Sequence, residues 1–339
     1  MKKIIALLFL LVLILNSCGE NGVEPIPQPQ PGRRDYVWTV DTLNPGGFYP
    51  NFNRIWGSSP ADVYVTGQGN PPNNNLWHYD GISWKPSTEN YLINLFGFYG
   101  FAKNDIWLSS VDNGEIWHYN GTAWILTTKL QLDGYKVAIE NFWGTSSNNL
   151  YASTIVEKKD YTRSYGAVFH YDGNSWKRTT TVDYEDYLFD NIRINNTDSI
   201  LVINAWAVHS DLEKILIWTG KNFSEILSTF EGTSLINIGD KIFFSNGKRV
   251  YQHGKENFTL WQDFTGTEFQ RLLGARNERD VFTISKSGIG HFNGTDFQTI
   301  YKTNFAISRA AIFEKEVFFI THDGFNTKPV VVIRGKLKE

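Results

Sequence analysis

The chain has 339 residues, with 32 Lys and Arg against 35 Asp and Glu and a formal net charge of −3. The two signs are interspersed, so no basic footprint points to nucleic acid. A single cysteine excludes a disulfide framework and a paired-cysteine metal site, while 24 Phe, 16 Tyr and 12 Trp suit strands with large flat side chains better than a helical bundle.

Lys2 and Lys3 precede an apolar run over residues 4–15 that is short for a membrane span, and residues 1–17 read as a signal peptide. The run ends in Leu15-Asn16-Ser17-Cys18, which resembles the lipobox of bacterial lipoproteins. That resemblance implies cleavage before Cys18, acylation of its thiol and a lipid anchor in the bacterial cell envelope. Gly19 in place of an aspartate implies sorting to the outer membrane. Proline at alternate positions within residues 23–34 predicts an extended polyproline-like spacer. The domain reading is therefore a signal peptide at 1–17, a lipidated cysteine and tether at 18–34, and a folded body at 35–339.

The body repeats. A polar residue followed by an aliphatic and a bulky apolar one occurs seven times, as Asp62-Val63-Tyr64, Asp105-Ile106-Trp107, Asn149-Leu150-Tyr151, Ser199-Ile200-Leu201, Lys241-Ile242-Phe243, Asp280-Val281-Phe282 and Glu316-Val317-Phe318. Each triplet predicts a strand. A second strand follows and ends in a glycine turn, most clearly in His78-Tyr79-Asp80-Gly81 and the related runs ending in Gly121, Gly173 and Gly294. Asp-Gly and Asn-Gly suit a tight hairpin whose central residues need φ > 0. After the turn an aromatic opens another strand, at Trp84, Trp124, Trp176, Phe223, Phe258 and Phe297, and Trp-Gly or Phe-Gly pairs such as Trp56-Gly57 and Phe96-Gly97 mark a strand upstream. Four antiparallel strands in about 40 residues are the signature of a propeller blade.

The seventh unit lacks its fourth strand, and Tyr36-Val37-Trp38-Thr39-Val40 is a strand with no unit of its own. The all-β fold expected is thus a seven-bladed β-propeller of four-stranded blades, closed by the N-terminal strand; six blades with one degenerate unit is the alternative. The repeats resemble those of bacterial β-propeller lipoproteins and, more loosely, kelch and galactose-oxidase-like propellers. The glycine doublet of kelch is missing, and so is the cysteine that galactose-oxidase chemistry needs, since Cys18 is committed to the anchor. The resemblance implies an architecture and no activity.

His78, His118, His170 and His291 occupy equivalent places in different blades, too far apart to converge on one ion, so they read as structural residues between blades. The sequence contains no nucleophile elbow, phosphate loop or His-Glu-x-x-His run. No catalytic residue, metal or cofactor is assigned.

Two surfaces stand out. Long insertions at 67–75, 155–167, 205–214 and 321–329, with 129–137 and 182–188 between blades, all emerge on the face that carries the links from second to third strand. Its binding candidates are Tyr161, Arg163, Tyr165, Tyr184, Trp206, His209, His322 and Phe325, with Asn73, Asn74, Tyr135 and Tyr187 beside them. The second surface is the channel mouth, where Arg54, Arg271 and Arg309 fall at similar places in blades one, six and seven, with Arg193 in blade four and Asn94 and Asn141 in blades two and three. Guanidinium forks match carboxylates and phosphates; the alternative is that these arginines pair with acids of neighbouring blades. The functional expectation is a non-catalytic recognition or scaffold module at the envelope that binds a glycan or protein partner. The competing expectation is a carbohydrate-active hydrolase or lyase that holds an acidic sugar with the arginine cluster.

Overall fold

Strands that carry the repeated triplets are apolar on both faces, as in Asp105–Ser110 and Ile200–Ala207, whereas outermost strands such as Trp124–Lys129 are exposed along most of their length. That contrast arises because each sheet is sandwiched between two others near the axis and splays outward to solvent at its edge. The computed structural model describes residues 29–44, 48–70, 75–89, 92, 94–111, 113–195, 200–254, 257–322 and 330–339. Cys18, Asn73, Asn74, Phe325 and the side chain of His322 lie outside the described residues.

The body consists of seven antiparallel sheets, each with a consecutive four-strand meander; the third carries one additional two-residue strand. Innermost strands are Phe48–Ser59, Leu95–Ala102, Tyr135–Ser146, Tyr187–Asn195, Thr233–Ile238, Phe269–Asn277 and Ala306–Ile312. Each contacts the next, and the first also contacts the last, so the sheets form a ring. Units four and five, the least regular in sequence, both form complete four-stranded blades, which sets aside the six-bladed count.

Ring closure is made by Tyr36–Leu43, which pairs antiparallel with Val330–Leu337 in unbroken register from Tyr36 opposite Leu337 to Leu43 opposite Val330. Gly335 faces Trp38, and a Cβ there would come within 2.6 Å of the indole. The lead-in lies against blade six: Gly32 N–H donates to the Arg279 carbonyl at 2.7 Å, and Arg34 forks onto Asp296 at 3.0 and 3.1 Å.

Apolar packing lies between blades. Seven buried clusters occur among the described residues, and each joins two neighbouring sheets. Trp107 and Ile116 of blade two pack with Phe142 and Leu150 of blade three, and Phe318 and Val332 of blade seven pack with Phe52 and Val63 of blade one.

The His-Tyr-Asp-Gly runs form a repeated polar circuit. Only the glycine is left-handed, with φ of 91° at Gly81 and 87–93° at Gly121, Gly173 and Gly294. The residue before it acts as a side-chain acceptor instead: Asp80 Oδ1 receives the N–H groups of Ile82 and Ser83 at 3.0 and 2.9 Å. The turn is therefore a four-residue loop built on that acceptor rather than a two-residue hairpin with both central φ positive. The histidines bond within their own blade, which corrects their expected place between blades. His78 Nε2 lies 2.7 Å from Asp62 Oδ1, with equivalents at His118 and Asp105, His170 and Asn149, and His291 and Asp280. Each ring also packs on the aromatic of the same triplet, as His78 does on Tyr64 at 4.1 Å. Blade seven replaces the pair with Arg334 donating to Glu316 at 2.8 Å.

Tyr36 is buried, packs edge-on against Phe282 of blade six, and accepts a hydrogen bond from Arg276 at 3.1 Å. Its neighbour Val37 points to solvent. Tyr36→Ala is expected to cost about 3 kcal/mol and lower the thermal midpoint by several degrees, while Val37→Ala stays within about 0.5 kcal/mol. Equal midpoints for the two variants would contradict the closure.

Candidate functional site

Antiparallel strands alternate direction, so the links from second to third strand and the links between blades emerge at one end of the ring. On the opposite face the turns are short: Ser59 to Asp62, Ala102 to Asp105, Ser146 to Asn149 and Ile238 to Lys241. On the loop-bearing face, six of the seven innermost strands slip register near their first third, between Phe52 and Arg54, Leu95 and Phe98, Ile139 and Asn141, Phe189 and Asn191, Phe269 and Arg271, and Ile307 and Arg309. Such a bulge lets two consecutive side chains approach the same space. Here that space is the mouth of the axial channel.

Polar groups freed by the bulges are bonded across blades. Ser109 Oγ accepts from Gly97 N–H at 2.8 Å and donates to the Ile139 carbonyl of blade three at 3.1 Å. Ser153 Oγ donates to the Asp190 carbonyl of blade four at 2.9 Å, and Leu272 N–H of blade six donates to Ser234 of blade five at 3.0 Å.

A channel cavity of about 410 Å³ is lined by all seven blades, including Arg54, Tyr99, Asn141, Asn191, Arg193 and Arg309. Above it opens a depression of about 1090 Å³ that shares Arg54, Asp190, Arg271 and Arg309 and adds Glu140, Trp206, His209 and Phe230. The two surfaces singled out in the sequence thus meet at Trp206 and His209. Trp206 is 43% exposed and Phe230 is 72% exposed.

The charges in this site are loosely matched. Arg54 Nη2 stands 3.9 Å from Glu140 Oε2 and 4.0 Å from Asp190 Oδ1, and Arg309 Nη2 is 3.9 Å from the same Asp190 oxygen. These separations exceed hydrogen-bond length. Arg54 instead donates to the carbonyls of Glu140 at 3.0 Å and Asn53 at 3.3 Å and lies 4.3 Å from the centre of the Phe96 ring, while its buried Nε has no acceptor among the described residues. Arg193 donates to Asn191 Oδ1 at 2.9 Å and to the Ile192 carbonyl at 2.6 Å, and Asn141 donates to the same Asn191 oxygen at 3.0 Å. Burial lowers the Arg54 and Arg193 guanidiniums to about 10, with Arg309 adding to the effect in each. Glu140 is 6% exposed, and burial pushes its carboxyl up to about 8 against the opposing pull of Arg54. Arg271 stands apart, paired with Glu213 at 3.0 Å; Glu213 also receives the Thr233 N–H at 2.7 Å.

Other expected site residues serve different ends. Tyr165 is 3% exposed and belongs to the core between blades two and three. Arg163 is fully engaged, donating to Tyr135 at 3.0 Å, Asp183 at 2.7 Å and Glu185 at 3.1 Å, and these contacts hold its charged form. Tyr161 stands exposed with φ 59° and receives the Lys136 ammonium at 2.7 Å. Tyr184 packs on Phe223 and Tyr187, with Lys214 over the Tyr187 ring. Asn94 precedes the innermost strand of blade two with φ 49° and is not among the lining residues of either cavity, where Phe96 stands instead. Glu140, Asp190, Asn191 and Phe230 line the mouth without having been singled out in the sequence. Their signal was local: Glu140-Asn141 and Asp190-Asn191 each place an acid before an amide at the same point of an innermost strand. Among the described residues no group of three His, Cys, Asp or Glu side chains is arranged to hold a metal ion.

Sheet order, closure and channel together define the chain as a seven-bladed β-propeller with a polar axial site. No family model and no curated protein sequence matches it. Among solved structures it is similar to YCF48 bound to D1 peptide, at 15% identity and TM-score 0.58 over 92% of this chain and all of the other. It is also similar to virginiamycin B lyase from Staphylococcus aureus with quinupristin, at 9% and 0.61 over 89% of this chain and all of the other. A third similar structure is oligogalacturonate lyase in complex with manganese, at 9% and 0.60 over 92% and 99%. At these identities the likeness is one of fold.

A carboxyl raised from 4.5 to about 8 gives stability a definite pH dependence. Between those values the folded chain holds a proton that the unfolded chain has released, so Glu140 lowers stability progressively as pH rises through this window. Glu140→Gln is expected to gain in midpoint over the native chain as pH goes from 5 to 9. A constant difference between the two across that range would show an ordinary carboxyl.

Proposed function

We propose that this protein is a recognition module whose loop-bearing face docks a segment of a partner protein over the channel mouth. The observation that carries the reading is the depression itself, where exposed Trp206 and Phe230 stand at the rim of a floor of arginines. Aromatic anchors beside arginine are the composition of binding hot spots. YCF48, a propeller of the same fold, is bound to a peptide, which supports a protein ligand over a glycan. The N-terminal sequence supports a lipid anchor at Cys18 and residence at the bacterial cell envelope, with the outer membrane as the destination and the module held off the membrane by its proline-rich segment.

A second reading is kept because of Glu140. A buried carboxyl with a raised pKa beside an arginine is the form a general acid takes, and two propellers of similar fold are lyases. The substrate would then be an acidic sugar polymer.

Envelope proteins captured by the mature chain, and a glycan array probed in parallel, test both. Trp206→Ala and Arg271→Ala are expected to weaken capture tenfold or more, and Ile82→Ala, on the opposite face, to leave it unchanged. Capture insensitive to both substitutions would exclude this face. Release of unsaturated or reducing sugar from a polyuronate, abolished in Glu140→Gln, would replace the recognition reading with the enzymatic one.

A further inference from the structure

Three guanidiniums at the floor of the depression have no hydrogen-bonded carboxylate among the described residues. Arg54, Arg193 and Arg309 converge there; among the described residues Glu140 and Asp190 are the acids within 4.0 Å of them, while Asp211, Glu213 and Glu231 also line the depression and Glu213 is taken by Arg271. Burial pushes the Glu140 carboxyl up to about 8, which weakens it as a counter-ion, and Arg54 and Arg309 share the one Asp190 oxygen. Asp190 is hydrogen-bonded to none of them: its Oδ1 stands 4.0 Å from Arg54 and 3.9 Å from Arg309.

Donor capacity is also left over. A guanidinium carries five N–H donors. Arg54, whose side chain is more than nine-tenths buried, uses Nη1 and Nη2 on backbone carbonyls and leaves Nε with no acceptor among the described residues. Arg309 donates through Nη1 to the Ser308 carbonyl and keeps over a third of its side chain open to the depression. Arg193 lies within the channel with an amide and a carbonyl as its acceptors and no carboxylate partner within ion-pair distance among the described residues. Buried cations with unused donors are costly unless an anion meets them.

We propose that this floor is an oxyanion subsite, in which Arg54 and Arg309 clamp a carboxylate or phosphate group of the ligand above Arg193 and displace the loosely held Asp190 side chain. The proposal deepens the recognition reading and rests on it for the larger ligand, because it assigns that ligand an acidic group at the point that enters the channel. Planar two-oxygen anions fit a pair of guanidinium forks, which explains why arginine and not lysine occupies all three positions.

The test uses sodium acetate and sodium phosphate as probes on the mature chain, against sodium chloride at equal ionic strength, with calorimetry and thermal midpoint as readouts. One or both oxyanions are expected to bind saturably in the millimolar range beyond the chloride reference; acetate alone identifies a carboxylate, and phosphate a phosphate. Arg309→Gln, at a side chain more than a third exposed and so tolerant of change, is expected to weaken binding tenfold or more. Asp190→Asn is expected to tighten it several-fold, since the competing charge is gone. Absence of saturable binding by either probe, or binding that both substitutions leave unchanged, overturns the subsite. Partner capture lost with anion binding intact would overturn the recognition reading alone, and the reverse would overturn the subsite alone.

Discussion

Eight residue pairs between Tyr36–Leu43 and Val330–Leu337 carry the architecture. Among the described residues every buried apolar cluster straddles two blades, and none lies within a single sheet. Each interface holds because the next one does, and an open ring would expose two apolar sheet faces and an unpaired strand edge at once. Borrowing the final strand from the N-terminus removes that failure point. It also anchors the lead-in segment, because Arg34 is then held against His291 and Asp296: its Nε donates to His291 Nδ1 at 3.2 Å, which places the imidazole proton on Nε2, facing Asp280.

The channel mouth arises from a repeated departure from regular sheet geometry. In a regular strand alternate side chains would point away from the axis, and Glu140 could not stand beside Asn141 at the same opening. The bulges supply that crowding in six blades, and hydroxyls from second strands and from blade five compensate the backbone groups the bulges release. Scaffold and site therefore share parts: Ser109 and Ser153 support the ring of bulges, and the bulges present the charges. At the mouth the buried Arg54 lies at the floor and the exposed aromatics Trp206 and Phe230 lie at the rim, an order suited to a ligand that inserts an acidic group and spreads an apolar surface outside.

Much of the fold was legible because blade strands announce themselves. The seven triplets are apolar on consecutive positions, four of the turns carry a residue that accepts backbone N–H groups followed by a glycine with positive φ, and Tyr36-Val37-Trp38-Thr39-Val40 is a strand without a unit. The turn type and the partners of the histidines were less legible, because both depend on side-chain bonds between strands about 15 residues apart. The channel mouth was only partly readable. Arg54, Arg271 and Arg309 occupy one structural position, each directly after a bulge, so counting along the repeat found them. Asn94 falls outside because it precedes the innermost strand of blade two, where the one-residue slip lies between Leu95 and Phe98. Glu140 and Asp190 were missed because the acid–amide pairs that mark them do not by themselves reveal the one-residue slip that brings both neighbours to the mouth. In the loops, Tyr165 and Arg163 looked like surface chemistry, yet one fills a core and the other is consumed by Tyr135, Asp183 and Glu185. Aromatic and charged residues near a loop have the same spelling in either role.

The central claim is that the first strand completes the seventh blade, and it is tested most directly by a cross-link. Val37 and Lys336 are register partners on the exposed side of that pairing. A chain carrying Val37→Cys and Lys336→Cys, with Cys18 replaced by serine, is expected to form an intramolecular disulfide under mild oxidation and to unfold at a higher temperature oxidised than reduced. Two thiols that remain free, or that cross-link only between molecules, would contradict the closure on which the whole account rests.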